Sequence, residues 1–453
     1  MLIRTAPDVY DKLRHLGGMA TDDVLTPNSV PSPRSMEYQT RGGYTPTAGV
    51  YRAAMPNGKR ISLLRVMFSD HCMMDCHYCP NSYWVPRRRY GFTVDELAKL
   101  FDTMHSRHQV DGLFLSSGIF NSPDQTMERL IGVVDALRNR YGFKGYVHLK
   151  VMPGASTDAV HEAARLGTRL SINMESPTRE HLEKVSGMKQ FDEGMLAPMQ
   201  AVQSLMAERY GTAVGQATQL VVGAADETDW DIYLRQRQLY NEFQFKRVYY
   251  NAFRPIQFTP LELHAPTPPI REHRLYQMDW LSRIYKFTED EMRPAFGQDG
   301  LLDLDMDPKL TIALQQIDRF PMDINAASHD DLLRVPGIGP VAAQRIIQQR
   351  KQHSISRWQE LKAMGVIVKR AQPFVRYVGY KPEFFRQAQL PLLAALSSDP
   401  VPALSQPAEE LSSKKSIALS PAGFDAIHQK HIGTGCATCP LHQAACGGVS
   451  TAA

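Results

Sequence analysis

Between residues 61 and 256 six short runs of apolar and β-branched residues recur: "ISLLRVMFS" (61–69), "DGLFLSS" (111–117), "GYVHLKVM" (145–152), "RLSINME" (169–175), "QATQLVVGA" (216–224) and "RVYYNAFRPI" (247–256). Amphipathic helical patterns separate them, among them "TVDELAKLFDTMHSRH" and "DQTMERLIGVVDALRNRYG". Strands that alternate with helices must be joined by crossovers, so this order predicts a parallel sheet of βαβ units. Six units suit an open, partial (βα)6 barrel better than a closed eightfold one. The fold class is therefore α/β. In such sheets chemistry gathers at the carboxyl ends of the strands.

The six cysteines fall into two tight groups. Cys72, Cys76 and Cys79 stand in "SDHCMMDCHYCPNSYW", spaced C-x3-C-x2-C, directly after the first strand run. Cys436, Cys439 and Cys446 stand in "CATCPLHQAAC", spaced C-x2-C-x6-C. Core filler or disulfide staples would be scattered, so two triplets predict two metal sites. An iron–sulfur cube normally takes four thiolates. Three leave one iron without a protein ligand, and an open position separates a reaction centre from a structural site. Zinc is the alternative, with His71 or His77 as the fourth ligand.

The C-x3-C-x-aromatic-C pattern after the first strand of a βα barrel resembles the radical S-adenosylmethionine (SAM) superfamily. The resemblance implies a 4Fe–4S cluster on Cys72, Cys76 and Cys79, with SAM chelating the fourth iron. It implies one-electron cleavage of SAM to methionine and a 5′-deoxyadenosyl radical that abstracts hydrogen from a substrate. The chemistry would be the cofactor's, with the protein supplying orientation and a dry cavity. Tyr78 fills the aromatic position near the adenine, and packing is its plainer role. "SSGIF" stands where the family has a Gly-Gly-Glu-like turn. Ser116, Ser117 and Gly118 thus keep the polar, close-approach role beside the SAM amino group, without the acid. Asn173 and Glu175 of "SINMES" take the ribose or carboxylate role, on one face because strand side chains alternate. Val222 and Gly223 of "VVGAADE", followed by Glu227, stand in the adenine-supporting stretch. Tyr250, Asn251 and Arg254 are substrate-pocket candidates.

Charge locates a second module. The chain is +4 overall, yet residues 334–381 hold ten Lys or Arg against one acid, Glu360, a net of +9 that leaves −5 elsewhere. Such concentration is the footprint of a polyanion-binding surface or a solvated face. Within "INAASHDDLLRVPGIGPVAAQRIIQQRK" (324–351), Ser328 and Asp331 can cap a short helix. "PGIG" makes a tight turn, and Pro340 opens a second helix where its missing N–H costs nothing. Backbone N–H groups around Gly337, Ile338 and Gly339 would face an anion, with Arg345 in support. The pattern resembles the helix-hairpin-helix motif, which grips nucleic-acid backbones without reading sequence. "WQELKAMGVIVKRAQPFVRYVG" resembles a degenerate second half. "RRR" at 87–89 is either a guide for a phosphate backbone or a solvated run.

The expected organisation is an extension (1–60), the partial barrel (61–256), a helical connector (257–322), an all-α hairpin domain (323–385), a linker (386–422) and a cysteine-bearing tail (423–453). At 453 residues, 43% of them hydrophobic, the chain can hold two or three domains with substantial cores. The amino terminus lacks the apolar core of a signal peptide and no run is long enough to span a bilayer, so a cytoplasmic, membrane-free protein with reduced thiols is expected. The tail triplet would hold an auxiliary iron–sulfur cluster or zinc, with His428, His431, His442 or a group from substrate or partner as a fourth ligand, or would stay as unliganded thiols. "CATCPL" also resembles the opening cysteine pair of iron–sulfur uracil-DNA glycosylases. Over residues 50–385 the chain resembles radical SAM proteins assigned to DNA modification or repair, which occur beside uracil-DNA-glycosylase-like proteins. That implies DNA as partner, a reductase-type electron donor and a glycosylase-like companion. An RNA-modifying enzyme and a non-catalytic DNA-binding iron–sulfur protein are the alternatives.

Overall fold

The computed structural model describes residues 7–20, 49–54, 60–208 and 215–382. The tail cysteines Cys436, Cys439 and Cys446, their expected metal and the 386–422 linker lie outside these residues.

In chain order the barrel comprises α1 (Val9–Met19), β1 (Val50–Ala54), β2 (Arg60–Met67), α2 (Val94–Ser106), β3 (Gly112–Ser116), α3 (Pro123–Asp135), β4 (Tyr146–Lys150), α4 (Thr157–Leu166), β5 (Arg169–Ser171), α5 (Arg179–Val185), α6 (Ala197–Ala207), β6 (Gln216–Val222), α7 (Asp229–Asn241) and β7 (Arg247–Ala252). The strands lie in sequential order from β1 to β7, and β2 to β7 are all parallel. Sequential parallel strands joined by right-handed crossovers place every helix on one face, and the twisted sheet curls into a half-barrel. Five of the barrel helices start where the sequence offers a hydroxyl. Thr93, Ser122, Ser156, Thr178 and Thr228 are N-caps, each accepting a backbone N–H from the first turn.

All six expected strands are present, and there is a seventh. β1 pairs antiparallel with β2, and α1 buries Leu13 and Leu16 in the core cluster that contains the β2 side chains. Residues 1–60 therefore contribute an edge strand and a packed helix rather than a plain extension. Gly49 (φ +81°) makes the approach feasible: a Cβ there would stand 2.5 Å from the Arg65 carbonyl oxygen.

Alternation divides the sheet. Leu64, Val66, Leu113, Leu115, Val147, Leu149, Leu170, Leu220 and Val248 are fully buried in the helix-side core. Burying a side chain of this size stabilises by about 1.5–3 kcal/mol. The alternate positions face the concave side. There Arg65, Phe114, His148 and Arg169 are register partners across four strands.

The chain continues through α8 (Pro269–Arg283), α9 (Glu289–Met292) and α10 (Pro308–Gln315), then β8 (Met322–Asp323), α11 (His329–Arg334), α12 (Pro340–Arg350), α13 (Trp358–Ala363), α14 (Val368–Ala371) and β9 (Val375–Arg376). This last region is helical apart from the short parallel pair β8–β9, which brings its two ends together. Arg334 pairs with Glu291 at 2.6 Å, and Arg370 pairs with Asp307, so the hairpins are ion-paired to the connector.

Candidate active site

The loop after β2 carries Cys72, Cys76 and Cys79 to the carboxyl edge of the sheet. It is held on several sides. Phe68 N–H donates to Ser116 O and Gly118 N–H to Ser69 O, both at 2.7 Å, while Met73 N–H donates to Ile119 O at 2.8 Å. Gly118 is required by this contact: a Cβ there would lie 2.5 Å from His71 O and 2.9 Å from the Cys72 Cβ. Fully buried Asp70 accepts from Tyr90 N–H (2.6 Å), bonds His15 Nε2 (2.8 Å) and pairs with Arg87. Arg89 donates to the carbonyls of Asp70, Asn81, Ser82 and Val85. The "RRR" run is thus neither solvated nor a phosphate guide at Arg87 and Arg89, which brace the cysteine loop. Only Arg88 is exposed.

Two sulfurs accept backbone N–H groups: Cys72 Sγ from Ile119 and Cys79 Sγ from Asn81, each at 3.4 Å. Cys76 is buried, and burial pushes its thiol pKa up while Lys189 opposes the shift. N–H donors aimed at sulfur favour the thiolate form and tune iron–sulfur clusters. The donor set therefore fits such a cluster. Among the described residues no group of three His, Cys, Asp or Glu side chains is arranged to hold one metal ion.

Beside the sulfurs lies a buried polar group. Lys189 Nζ donates to Tyr78 Oη (2.9 Å) and Glu175 Oε1 (3.0 Å), and both ion-pair side chains are under a tenth exposed. Burial works against the Lys189 charge, but Cys76 and Glu175 outweigh it and raise the ammonium pKa above its usual value. Burial, then Cys76 and Glu175, push the Tyr78 phenol well up, so it stays neutral. Asp75 sets Lys189 in place by accepting from Ser186 Oγ, from Gly187 N–H (2.7 Å) and from Met188 N–H (3.4 Å). No motif flagged Lys189; its role arises from a contact spanning 111 residues.

Glu175 reaches this group by leaving strand geometry. Its φ is +65°, its N–H donates to Gln219 O (2.9 Å) and its carbonyl accepts from Val221 N–H (2.7 Å). The alternation argument that set it beside Asn173 fails, because β5 ends at Ser171. Asn173 is half-buried.

Residues 66–204 match the family model of the radical SAM superfamily. The chain carries a radical SAM domain. Residues 321–371 match the helix-hairpin-helix motif. Three of the solved structures to which the chain is similar are the following. HydG, a maturase of the [FeFe]-hydrogenase, is 11% identical over 48% of each chain, with a TM-score of 0.40. Methylornithine synthase is 16% identical over 48% of this chain and 60% of its own, at 0.39. The methyltransferase TsrM from Kitasatospora setae, solved with cobalamin and a 4Fe–4S cluster, is 10% identical over 46% and 39%, at 0.34. This chain spans about half the length of the structures it matches. No curated protein matches it.

Other expected SAM-site residues of the radical SAM domain are already engaged. Ser116 is buried, and Ser117 Oγ donates to the carbonyls of Gly118 (2.7 Å) and Ser69 (3.3 Å). Val222 is fully buried, its carbonyl taken by Thr267 Oγ1 and Phe253 N–H, so its side chain serves the core. Gly223 (φ +84°) gives its N–H to Glu227, which folds back on its own loop. Tyr250 points to the helices, donating to Gln236 at 2.7 Å, and leaves Tyr249 on the concave side. Glu272 accepts from Ala252 N–H (2.9 Å) at the end of β7, and burial pushes its carboxyl up to about 7.

The hairpin has the expected caps. Ser328 and Asp331 form a capping box, and Pro340 opens α12. Gly337 (φ +84°) is packed so closely that a Cβ would meet Ile367 O at 2.6 Å. Two expectations are corrected. Ile338 is buried, its N–H spent on Val335 O (3.2 Å) and its carbonyl taken by Lys309 Nζ (2.6 Å), so it anchors the turn from inside. Arg345 leans toward Met364 O of the second hairpin (3.4 Å) rather than toward the first turn. That second hairpin is real. Gly365 (φ +94°) repeats Gly337, and buried Val366 repeats Ile338. Exposed Lys351, Arg357, Lys362, Lys369 and Lys381 keep the surface basic. No helix among the described residues is long and apolar enough to cross a membrane.

Proposed function

We propose that this radical SAM enzyme acts on nucleic acid, in DNA modification or repair, and holds its substrate through the paired hairpins. The observation that carries the reading is the junction, in one chain, of a three-cysteine loop at the carboxyl edge of a half-barrel with a basic double hairpin. Cys72, Cys76 and Cys79 would hold a 4Fe–4S cluster, and the turn at Gly118, Tyr78, Asn173, Glu175 and Gly223 would border SAM. When bound, cluster and SAM supply one-electron reductive cleavage and hydrogen abstraction. The protein's part is to clamp the loop through Asp70 and Arg89, to fix Tyr78 through Lys189, and to keep water from the sulfurs. A reductase-type electron donor is required by that chemistry; a glycosylase-like companion rests on the family resemblance. A base within a duplex would have to be flipped out or met as single strand.

The hairpin turn carries the backbone N–H groups of Gly337 and Gly339 within a basic module, a constellation suited to phosphate contact. The test is fluorescence anisotropy with labelled single-stranded and duplex DNA and RNA across a salt series. Wild type should bind with affinity that falls steeply as salt rises. A Gly337→Ala/Gly339→Ala variant should lose most of that affinity while its melt still shows a folded barrel. If the double variant binds as wild type, the hairpin reading is wrong. If RNA alone binds, the substrate is RNA.

A further inference from the structure

Strands of a parallel sheet buried on both faces usually read as continuous apolar runs. The seven barrel strands do not. They contain no Asp or Glu, yet they place Arg65, Lys150 and Arg169 on the concave face together with His148. The register sets them side by side. Arg65, Phe114, His148 and Arg169 form one row, and Lys150 stands one pleat further toward the carboxyl edge, beside Ser171. Arg65 and Lys150 are about a twentieth exposed. His148 packs edge-on against Phe114, its Nε2 bonds Ser171 Oγ at 2.8 Å, and the Arg65 guanidinium lies 5.0 Å from the Tyr51 ring centre. Burial, then Arg169, then Lys150 hold the His148 pKa well below its usual value, so their fields converge on one place.

We propose that this concave face is an anion site that takes a phosphate group of a nucleotide substrate. Three cations around one low-dielectric lumen attract an anion more strongly than any surface cluster of equal charge. Arg and Lys donors, with the hydroxyls of Tyr51 and Ser171, match the many acceptor oxygens of phosphate. The site lies below the carboxyl edge that carries the cysteine loop, so a phosphate held there leaves the sugar or base toward that edge. The inference takes its phosphate source from the nucleic-acid reading above, but the two fail separately.

The test is calorimetric titration of the full chain, with its cluster and SAM, using thymidine 5′-monophosphate and thymidine. A pyrimidine avoids competition for an adenosine pocket. Wild type should bind the monophosphate at least about tenfold more tightly than the nucleoside, the scale of one charge-assisted hydrogen bond. Inorganic phosphate should compete with the monophosphate alone. Lys150→Met and Arg169→Met should each erase most of the preference, and Lys150→Arg should retain it. Arg52→Met, which removes an exposed charge on the edge strand, should change nothing. Equal binding of both ligands to wild type overturns the proposal, as does a preference that survives both lumen variants or falls equally in Arg52→Met. A phosphate preference without oligonucleotide binding would keep this site and remove the nucleic-acid reading. Hairpin-dependent oligonucleotide binding without a phosphate preference would do the reverse.

Discussion

Lys189→Met deletes the cation that joins Glu175 and Tyr78 beside the cysteine sulfurs. Both members of the ion pair are under a tenth exposed, at 3.0 Å. Removing one partner of such a pair leaves a buried charge uncompensated and costs about 3–5 kcal/mol. At roughly 2–4 °C per kcal/mol for a domain of this size, the melting temperature should fall by about 6–20 °C. Glu175→Gln should cost a comparable amount. The double variant Lys189→Met/Glu175→Gln should cost less than the two losses added, with a coupling of about 1–3 kcal/mol. Calorimetric melts of the four proteins give the cycle directly. A drop below about 2 °C for Lys189→Met, or strict additivity, would show that the contact contributes no net stabilisation of the magnitude expected for a buried pair.

Gly118→Ala should lose most of its iron after reconstitution, measured by iron and sulfide content, because the new Cβ must displace His71 O and the Cys72 Cβ. Glu291 has its carboxyl held down to about 2: burial resists, but Arg334, Thr288 N–H and Arg319 prevail. A depressed carboxylate stabilises above its unfolded value and loses that contribution as pH falls through the folded one. About 3 kcal/mol should therefore disappear between roughly pH 4.5 and 2, and acid titrations of Glu291→Gln should lack this limb. Glu272 is the opposite case. Its raised carboxyl favours the folded state while protonated and penalises it as pH rises through about 7. Glu272→Gln should thus stabilise at pH 8 by up to about 3 kcal/mol and by much less at pH 5, read from denaturant midpoints.

The strands of the parallel sheet were legible because every β-branched run from β2 to β6 is followed by a hydroxyl cap that starts the next helix. The cysteine loop was legible by spacing. α1 and β1 were not: "VYDKLRHLGGM" ends in two glycines, and "VYRAA" becomes a strand only by pairing with β2. Lys189 and Glu175 acquire meaning through contacts that sequence distance conceals, and Glu175 abandons the strand period at a positive φ. Arg87 and Arg89 look like surface charge until the loop folds around them. The hairpin turns were readable from their glycines, but the inward role of Ile338 required Lys309 from a helix the motif does not include. The cations of the lumen were visible all along in "GYVHLKVM", where His148 and Lys150 interrupt a run that should be apolar.

The most direct measurement is anaerobic. The protein is reconstituted with iron and sulfide, given SAM and dithionite, and assayed by chromatography for 5′-deoxyadenosine with and without single-stranded and duplex DNA. Wild type should form 5′-deoxyadenosine, more of it with one nucleic acid, and Cys76→Ala should form none. Fully clustered protein that leaves SAM intact under every one of these conditions would contradict the assignment of Cys72, Cys76 and Cys79 as a SAM-cleaving centre.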